Sequence, residues 1–80
     1  MMPLIKNKYI IVRNENELVA MDYSSGGYPT ITECINNVKF WNSYKDADTY
    51  LNMFDKSPSY GFTKQNCKII EVALFKVSLN

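Results

Sequence analysis

The chain has 80 residues, of which 46% are hydrophobic, 14% aromatic and 21% charged, and its formal net charge is +1. This length predicts a single domain, residues 1–80, with a small core, and the composition excludes a disordered chain. The basic residues, which are eight lysines and Arg13, are mixed with acidic residues along the chain and are not gathered in one segment. This mixture disfavours the basic stripe typical of nucleic-acid-binding proteins.

The N-terminal segment MMPLIKNKYIIVRN contains neither a long apolar run nor a small-residue cleavage site. It therefore predicts no signal peptide and no membrane span, and we expect a cytoplasmic protein. In that compartment Cys34 and Cys67 are expected to be free, partly buried thiols rather than a disulfide.

The first two elements predict a β-hairpin. Residues 8–13, KYIIVR, are β-branched and aromatic, and a second run of this kind follows at residues 18–23. Between them, residues 14–17, NENE, form a polar break with turn-forming asparagines. Two such runs joined by a loop of about four residues are typical of an antiparallel pair.

The segment SSGGYPT, residues 24–30, follows the hairpin. Gly26 and Gly27 can adopt positive φ, whereas Pro29 fixes its own φ and favours an extended conformation at Tyr28. The chain is therefore expected to turn at the glycines and to hold Tyr28 in a defined direction. A brief extended run is expected next. Residues 33–38 then form a segment too short for its hydrophobic periodicity to distinguish a helical turn from a loop.

Residues 39–41, KFW, are compatible with a short strand and lead into the clearest element. Ser43 is an N-cap residue type, with Asp46 three positions later as in a capping box. The residues beyond follow the i, i+3, i+4, i+7 spacing of an amphipathic helix: Ala47, Tyr50, Leu51 and Phe54. Since Pro58 limits the helix, we predict it over residues 44–55.

Residues 67–79, CKIIEVALFKVSL, predict a long strand that is apolar on both faces. One face carries Ile70, Val72 and Leu74, and the other carries Ile69, Ala73, Phe75 and Val77. The fold class is therefore α+β, a small antiparallel sheet (β-hairpin, short strand, long C-terminal strand) with one amphipathic helix on one face.

A single helix covers only one face of a sheet, so the second face of the long strand needs another cover. In one alternative Tyr60 and Phe62 of the preceding loop fold over it, and the protein is a monomer. In the other, two copies form a homodimer through the open face or through a sheet edge. The sequence leaves both alternatives open.

The sequence lacks the residues of common catalytic sites. It contains no histidine, the commonest general base and neutral metal ligand. Cys34 and Cys67 are not a C-x-x-C pair, and Asp46 and Asp48 point to different faces of the predicted helix. The SSGG segment lacks the lysine and the following helix of a phosphate-binding loop. We therefore predict a non-enzymatic protein with no cofactor and no metal site.

The order of the motifs resembles a group of small accessory proteins encoded by bacteriophages and prophages. The resemblance covers residues 8–54, through SGGYP at residues 25–29 and S-x-x-D-A at residues 43–47. The strand that begins at Cys67 has no counterpart in that pattern. The resemblance implies an accessory protein that acts in an infected bacterial cell, where it binds and inhibits a host protein such as a defence factor.

Two binding functions follow as hypotheses. The first is binding of a host protein through aromatic residues, because these are enriched at interfaces; the candidate contacts are Tyr23, Tyr28 and Trp41, with Gly26 and Gly27 shaping the loop. For each ring the alternative role is core packing. The second hypothesis is binding of a nucleotide or single-stranded nucleic acid, with stacking on the rings and phosphate contacts from Lys6, Lys8, Lys39, Lys64 and Lys68.

Overall fold

The computed structural model describes residues 4–76 and confirms the α+β class. Four antiparallel strands form one sheet in the order β3-β2-β1-β4, and a helix, α1, packs on one face. The elements are β1 (Leu4–Arg13), β2 (Glu17–Asp22), β3 (Tyr28–Thr32), α1 (Tyr44–Asp55) and β4 (Cys67–Lys76). No helix within residues 4–76 is long and apolar enough to cross a membrane.

β1 and β2 form the predicted hairpin but remain paired only near the turn, where Val12 faces Leu18 and Arg13 faces Glu17. Further from the turn, the KFW segment lies between β1 and β2 and forms backbone hydrogen bonds with both strands. The Lys39 N–H donates to the carbonyl oxygen of Val19, with an N–O distance of 3.1 Å. KFW is therefore an inserted connection with one β-bridge, at Trp41, and the third strand is Tyr28–Thr32 instead.

Helix α1 begins and ends at the predicted residues. The Ser43 side-chain oxygen accepts a hydrogen bond from the Asp46 N–H, with an N–O distance of 3.1 Å, as the N-cap pattern indicates. The predicted apolar stripe packs on the sheet. The main core consists of buried residues from the helix, the strands and the loops: Ile11, Val19, Trp41, Ala47, Leu51, Phe54, Phe62 and Cys67.

The opposite face of the sheet has a smaller cluster. Val38 is buried there against Ile10 and Val12, and Phe40 packs at its margin. Side chains alternate along an extended segment, so the connection that brings Trp41 into the main core directs Val38 and Phe40 to this second face. The chain between β3 and α1 thus supplies part of the cover.

The structure contradicts the alternative in which Tyr60 and Phe62 fold over this second face. Phe62 is buried in the main core, and the Tyr60 ring centroid lies 5.5 Å from that of Phe54 on the helix side. The turn at Pro58–Tyr60 directly follows the helix, which keeps both rings on the side of the sheet that the helix occupies.

β4 pairs with β1 from Leu4 opposite Lys76 to Arg13 opposite Cys67. The hairpin strand, and not the KFW segment, therefore lies beside the long strand. The predicted strand is confirmed as far as Lys76, and residues 77–79 lie outside the described residues. Ile70, on the face away from α1, remains 41% exposed.

Candidate functional site

The predicted glycine loop lies beside the C-terminal end of α1. A concavity of about 310 Å³ opens there, lined by Phe54 and by five residues that we call the glycine-loop patch: Gly26, Gly27, Tyr28, Met53 and Tyr60. Its three large side chains are strongly exposed, at 45% for Tyr28, 60% for Met53 and 48% for Tyr60. Exposed apolar side chains gathered around a concavity are typical of binding surfaces.

The loop backbone turns at the glycines, as the sequence predicts. Gly26 and Gly27 have φ values of 84° and 85°, in the left-handed region that side chains with a Cβ rarely adopt. The Asp22 carboxylate accepts hydrogen bonds from the N–H and the hydroxyl of Ser24, with distances of 3.0 and 2.6 Å. The Gly27 N–H donates to the Asp22 carbonyl oxygen at 2.8 Å. Local contacts therefore close the turn.

Tyr50 fixes the loop to the helix. Its hydroxyl donates to the Gly27 carbonyl oxygen, with an O–O distance of 2.7 Å. Burial, together with a smaller contribution from Tyr23, raises the pKa of Tyr50 to about 12. The helical period places Tyr50 in the apolar stripe, but this contact depends on the position of the loop and has no sequence signal.

Tyr28 is held by two other rings. It stacks on Tyr60 with ring centroids 5.3 Å apart and an interplanar angle of 25°, and it meets Phe54 edge-on at 5.9 Å. A side-chain hydrogen bond with Tyr28 raises the pKa of Tyr60. Sequence reasoning finds Tyr28 but misses Tyr60 and Met53 as its neighbours, because they belong to segments far along the chain.

The other two predicted contact residues, Tyr23 and Trp41, do not line this concavity. Tyr23 is 72% exposed on a short 3-10 turn, Tyr23–Ser25, that leads into the loop. Trp41 is only 7% exposed and belongs to the main core. Its backbone exchanges two hydrogen bonds with Tyr9, with N–O distances of 2.9 and 2.8 Å. Trp41 therefore takes the alternative role, core packing, and is not on the surface with Tyr28.

The lysines of the nucleic-acid hypothesis are divided between faces of the protein. Lys6, Lys8 and Lys68 occupy strand positions on the face away from α1. Lys64 lies on the helix side, where its ammonium is 3.3 Å from a carboxylate oxygen of Asp48. The Lys39 ammonium lies 5.9 Å from the Trp41 ring centroid. The five lysines therefore do not all lie on one face, as a phosphate-binding track through all of them would require.

The thiols and carboxylates do not converge. Across residues 4–76, no three side chains of the types His, Cys, Asp and Glu are arranged to hold a metal ion. Both cysteines are free; Cys34 is exposed, contrary to the expectation of partial burial, and Cys67 is buried. Burial raises the pKa of the Cys67 thiol, which lowers the fraction present as the nucleophilic thiolate.

Comparison of the chain with protein-family models, with curated proteins and with solved structures gave no match in any of the three. The candidate site is therefore defined by the geometry of the glycine-loop patch.

Proposed function

We propose that this chain is a non-enzymatic accessory module of the phage type, which binds a host bacterial protein in the cytoplasm through the glycine-loop patch and inhibits it. The observation that carries the proposal is the exposed Tyr28–Tyr60 stack beside Met53. Tyrosine is enriched among the residues that dominate binding energy at protein interfaces, and methionine adapts its shape to varied partners.

The patch is also pre-organised. Tyr28 is already held against Tyr60 and Phe54, and the Gly27 carbonyl is tied to the hydroxyl of Tyr50. A partner that covers these rings therefore orders few additional rotamers, and less of the interaction free energy is lost as entropy. Gly26 leaves the backbone open to close approach, since no Cβ shields it.

Affinity capture from bacterial lysate tests the proposal, with immobilised wild type, Tyr60→Ala and Met53→Ala. Tyr44→Ala is the matched control, because Tyr44 is also an exposed tyrosine, 56% exposed, with one ring contact to Tyr9. We expect one host protein to be enriched by the wild type and by the control. Each patch substitution should raise the dissociation constant of the purified complex between this chain and the host protein by about tenfold or more, which corresponds to a loss of about 1.4 kcal/mol in binding free energy.

Circular dichroism of each variant establishes that the fold persists. If folded patch variants capture the same protein as strongly as the control, the glycine-loop patch is not the binding surface. Inhibition is then tested by adding the purified module to the captured protein's own activity assay, with Tyr60→Ala as the comparison. An unchanged activity with a saturating wild-type module would contradict the inhibitory role.

A further inference from the structure

The two edges of the sheet differ in their protection against pairing with another strand. β3 is five residues long and contains Pro29, whose nitrogen carries no hydrogen. β4 is ten residues long, has no proline and, within residues 4–76, pairs only with β1. A long edge strand without these protections is a template for further pairing.

The register shows which backbone groups of β4 point outward. Tyr9 directs both its N–H and its carbonyl towards Trp41, so the pair Tyr9–Glu71 is not hydrogen-bonded between β1 and β4. Hydrogen-bonded pairs alternate along an antiparallel ladder. Ile69, Glu71 and Ala73 therefore direct both backbone groups away from β1.

We propose that a second copy of this chain pairs with the outer edge of β4, antiparallel, about a two-fold axis at Ile70. In this register Ile69 of each copy exchanges two backbone hydrogen bonds with Glu71 of the other, which gives four in total. Ile70, 41% exposed in the single chain, faces Ile70 of the second copy at the centre of the interface.

Both side-chain charges and the backbone hydrogen bonds that β4 already makes favour an axis at Ile70 over an axis at a neighbouring residue. An axis at Glu71 places the two Glu71 residues, both negatively charged, directly opposite each other. An axis at Val72 places Lys68 opposite Lys76, which are both positively charged. Like charges at opposite positions of an antiparallel pair are destabilising. An axis at Ile69 pairs Cys67 with Glu71, and the Cys67 N–H already donates to the Thr63 carbonyl oxygen at 2.9 Å, so only the central Ile69 pair keeps both of its bonds. The axis at Ile70 uses Cys67 only in an outer pair with Ala73, beyond the four bonds counted above.

The axis at Ile70 places Lys68 opposite Val72, where no like charges meet and the aliphatic part of the lysine can cover the valine. A second copy suits this edge because its own strand has the same outward groups in the matching order. A net charge of only +1 per chain adds little repulsion. The glycine-loop patch lies towards the other edge, at β3, so the inference does not depend on the proposed function.

Light scattering after size exclusion at micromolar concentration gives the first test. We expect twice the chain mass of 9.3 kDa for the wild type and for Ile35→Lys, a control at a residue that is 55% exposed and lies off the edge. Ile70→Lys should be monomeric, since it sets two ammonium groups face to face. A wild-type mass of one chain over a tenfold concentration range overturns the proposal.

Disulfide trapping tests the register. In a Cys34→Ser background, Ile70→Cys places two thiols at a non-hydrogen-bonded pair on the axis, where Cβ separations of about 4.5–5.5 Å allow bridging with a small backbone adjustment. Val72→Cys, which faces Lys68 of the second copy, is the matched control. We expect rapid covalent dimers from Ile70→Cys and at least tenfold slower formation from Val72→Cys. Equal rates, or faster bridging at Val72, overturn the axis at Ile70.

Discussion

Replacing Tyr50 with phenylalanine removes one hydrogen bond and leaves the ring packing in place. The lost hydroxyl is the donor to the Gly27 carbonyl oxygen, a hydrogen bond that ties the glycine loop to α1 in addition to the ring contact between Tyr28 and Phe54. The ring keeps its neighbours Trp41 and Phe54, with centroids 5.1 and 5.0 Å away. The variant therefore reports on the hydrogen bond rather than on the core.

The expected loss in the free energy of unfolding is about 1 kcal/mol at neutral pH. A neutral intramolecular hydrogen bond contributes about 0.5–1.5 kcal/mol net, and the larger penalties apply when a buried partner is left without water. Gly27 is partly exposed, so water can bind its carbonyl in the variant. In a domain of this size the loss lowers the Tm by about 4–8 °C.

The pH dependence supplies a second signature. The pKa of Tyr50 is raised from its ordinary value of 10.0 to about 12 in the folded protein, chiefly by burial. The unfolded chain therefore releases this proton first as the pH rises, and the hydroxyl's contribution, complete below pH 10, is lost between pH 10 and about 12. The stability gap between wild type and Tyr50→Phe should narrow over this range.

Urea denaturation at about pH 8 and about pH 11 measures the gap, since unfolding free energy falls linearly with urea concentration. The comparison cancels the titration of the other tyrosines and the lysines, which both proteins share. Tyr44→Phe is the matched control and should leave stability within about 0.5 kcal/mol. A gap that stays constant between the two pH values, or no gap at pH 8, would refute the assignment of this hydrogen bond.

Three further substitutions test the core, the helix start and the loop, all by urea denaturation. Leu51→Ala, at a residue 4% exposed in the main core, should cost about 2–5 kcal/mol, and a loss below about 1 kcal/mol contradicts that packing. Ser43→Ala removes the N-cap and should cost about 1 kcal/mol, whereas the exposed Ser59→Ala should have little effect. Gly27→Ala forces a Cβ into a φ of 85° and should cost about 1–2 kcal/mol; an unchanged midpoint means that the loop adopts another conformation.

Local signals explain what sequence reasoning predicts well. The bounds of α1 follow from an N-cap, a 3.6-residue period and Pro58, all of which act within a few residues. The turn at Gly26 and Gly27 likewise needs only their permissive backbone. Such elements can be recognised before any tertiary contact is known.

The features that sequence reasoning does not predict depend on contacts between segments far apart in the chain. The KFW segment has the residue types of a strand, but its position depends on where β1 and β2 separate. Tyr60 joins Tyr28 because the turn after α1 returns to the glycine loop, and no periodicity encodes that meeting. Sequence reasoning therefore identifies the glycine loop and Tyr28 but not their neighbours Tyr60 and Met53, and it does not reveal that Trp41 lies in the main core.

Arg13, the one arginine of the chain, connects the hairpin to the loop before β4. Its guanidinium forms a fork with the Glu17 carboxylate, at N–O distances of 3.0 and 3.2 Å. It also donates to the Gly61 carbonyl oxygen at 3.2 Å and lies 4.6 Å from the Phe62 ring centroid. A planar group with several donors can make these contacts together, whereas an ammonium cannot.

Arg13→Lys should therefore lower the free energy of unfolding by about 1–2 kcal/mol even though the charge is kept, because the carbonyl contact and the stacking on Phe62 are lost. The exposed Lys45→Arg is the matched control and should change stability by less than about 0.5 kcal/mol. Urea denaturation with and without about 0.5 M NaCl distinguishes the causes, since salt screens exposed ion pairs and has less effect on stacking and packing. If the cost of Arg13→Lys disappears in salt, the fork with Glu17 is the only contact that matters, and the reasoning from Gly61 and Phe62 is wrong.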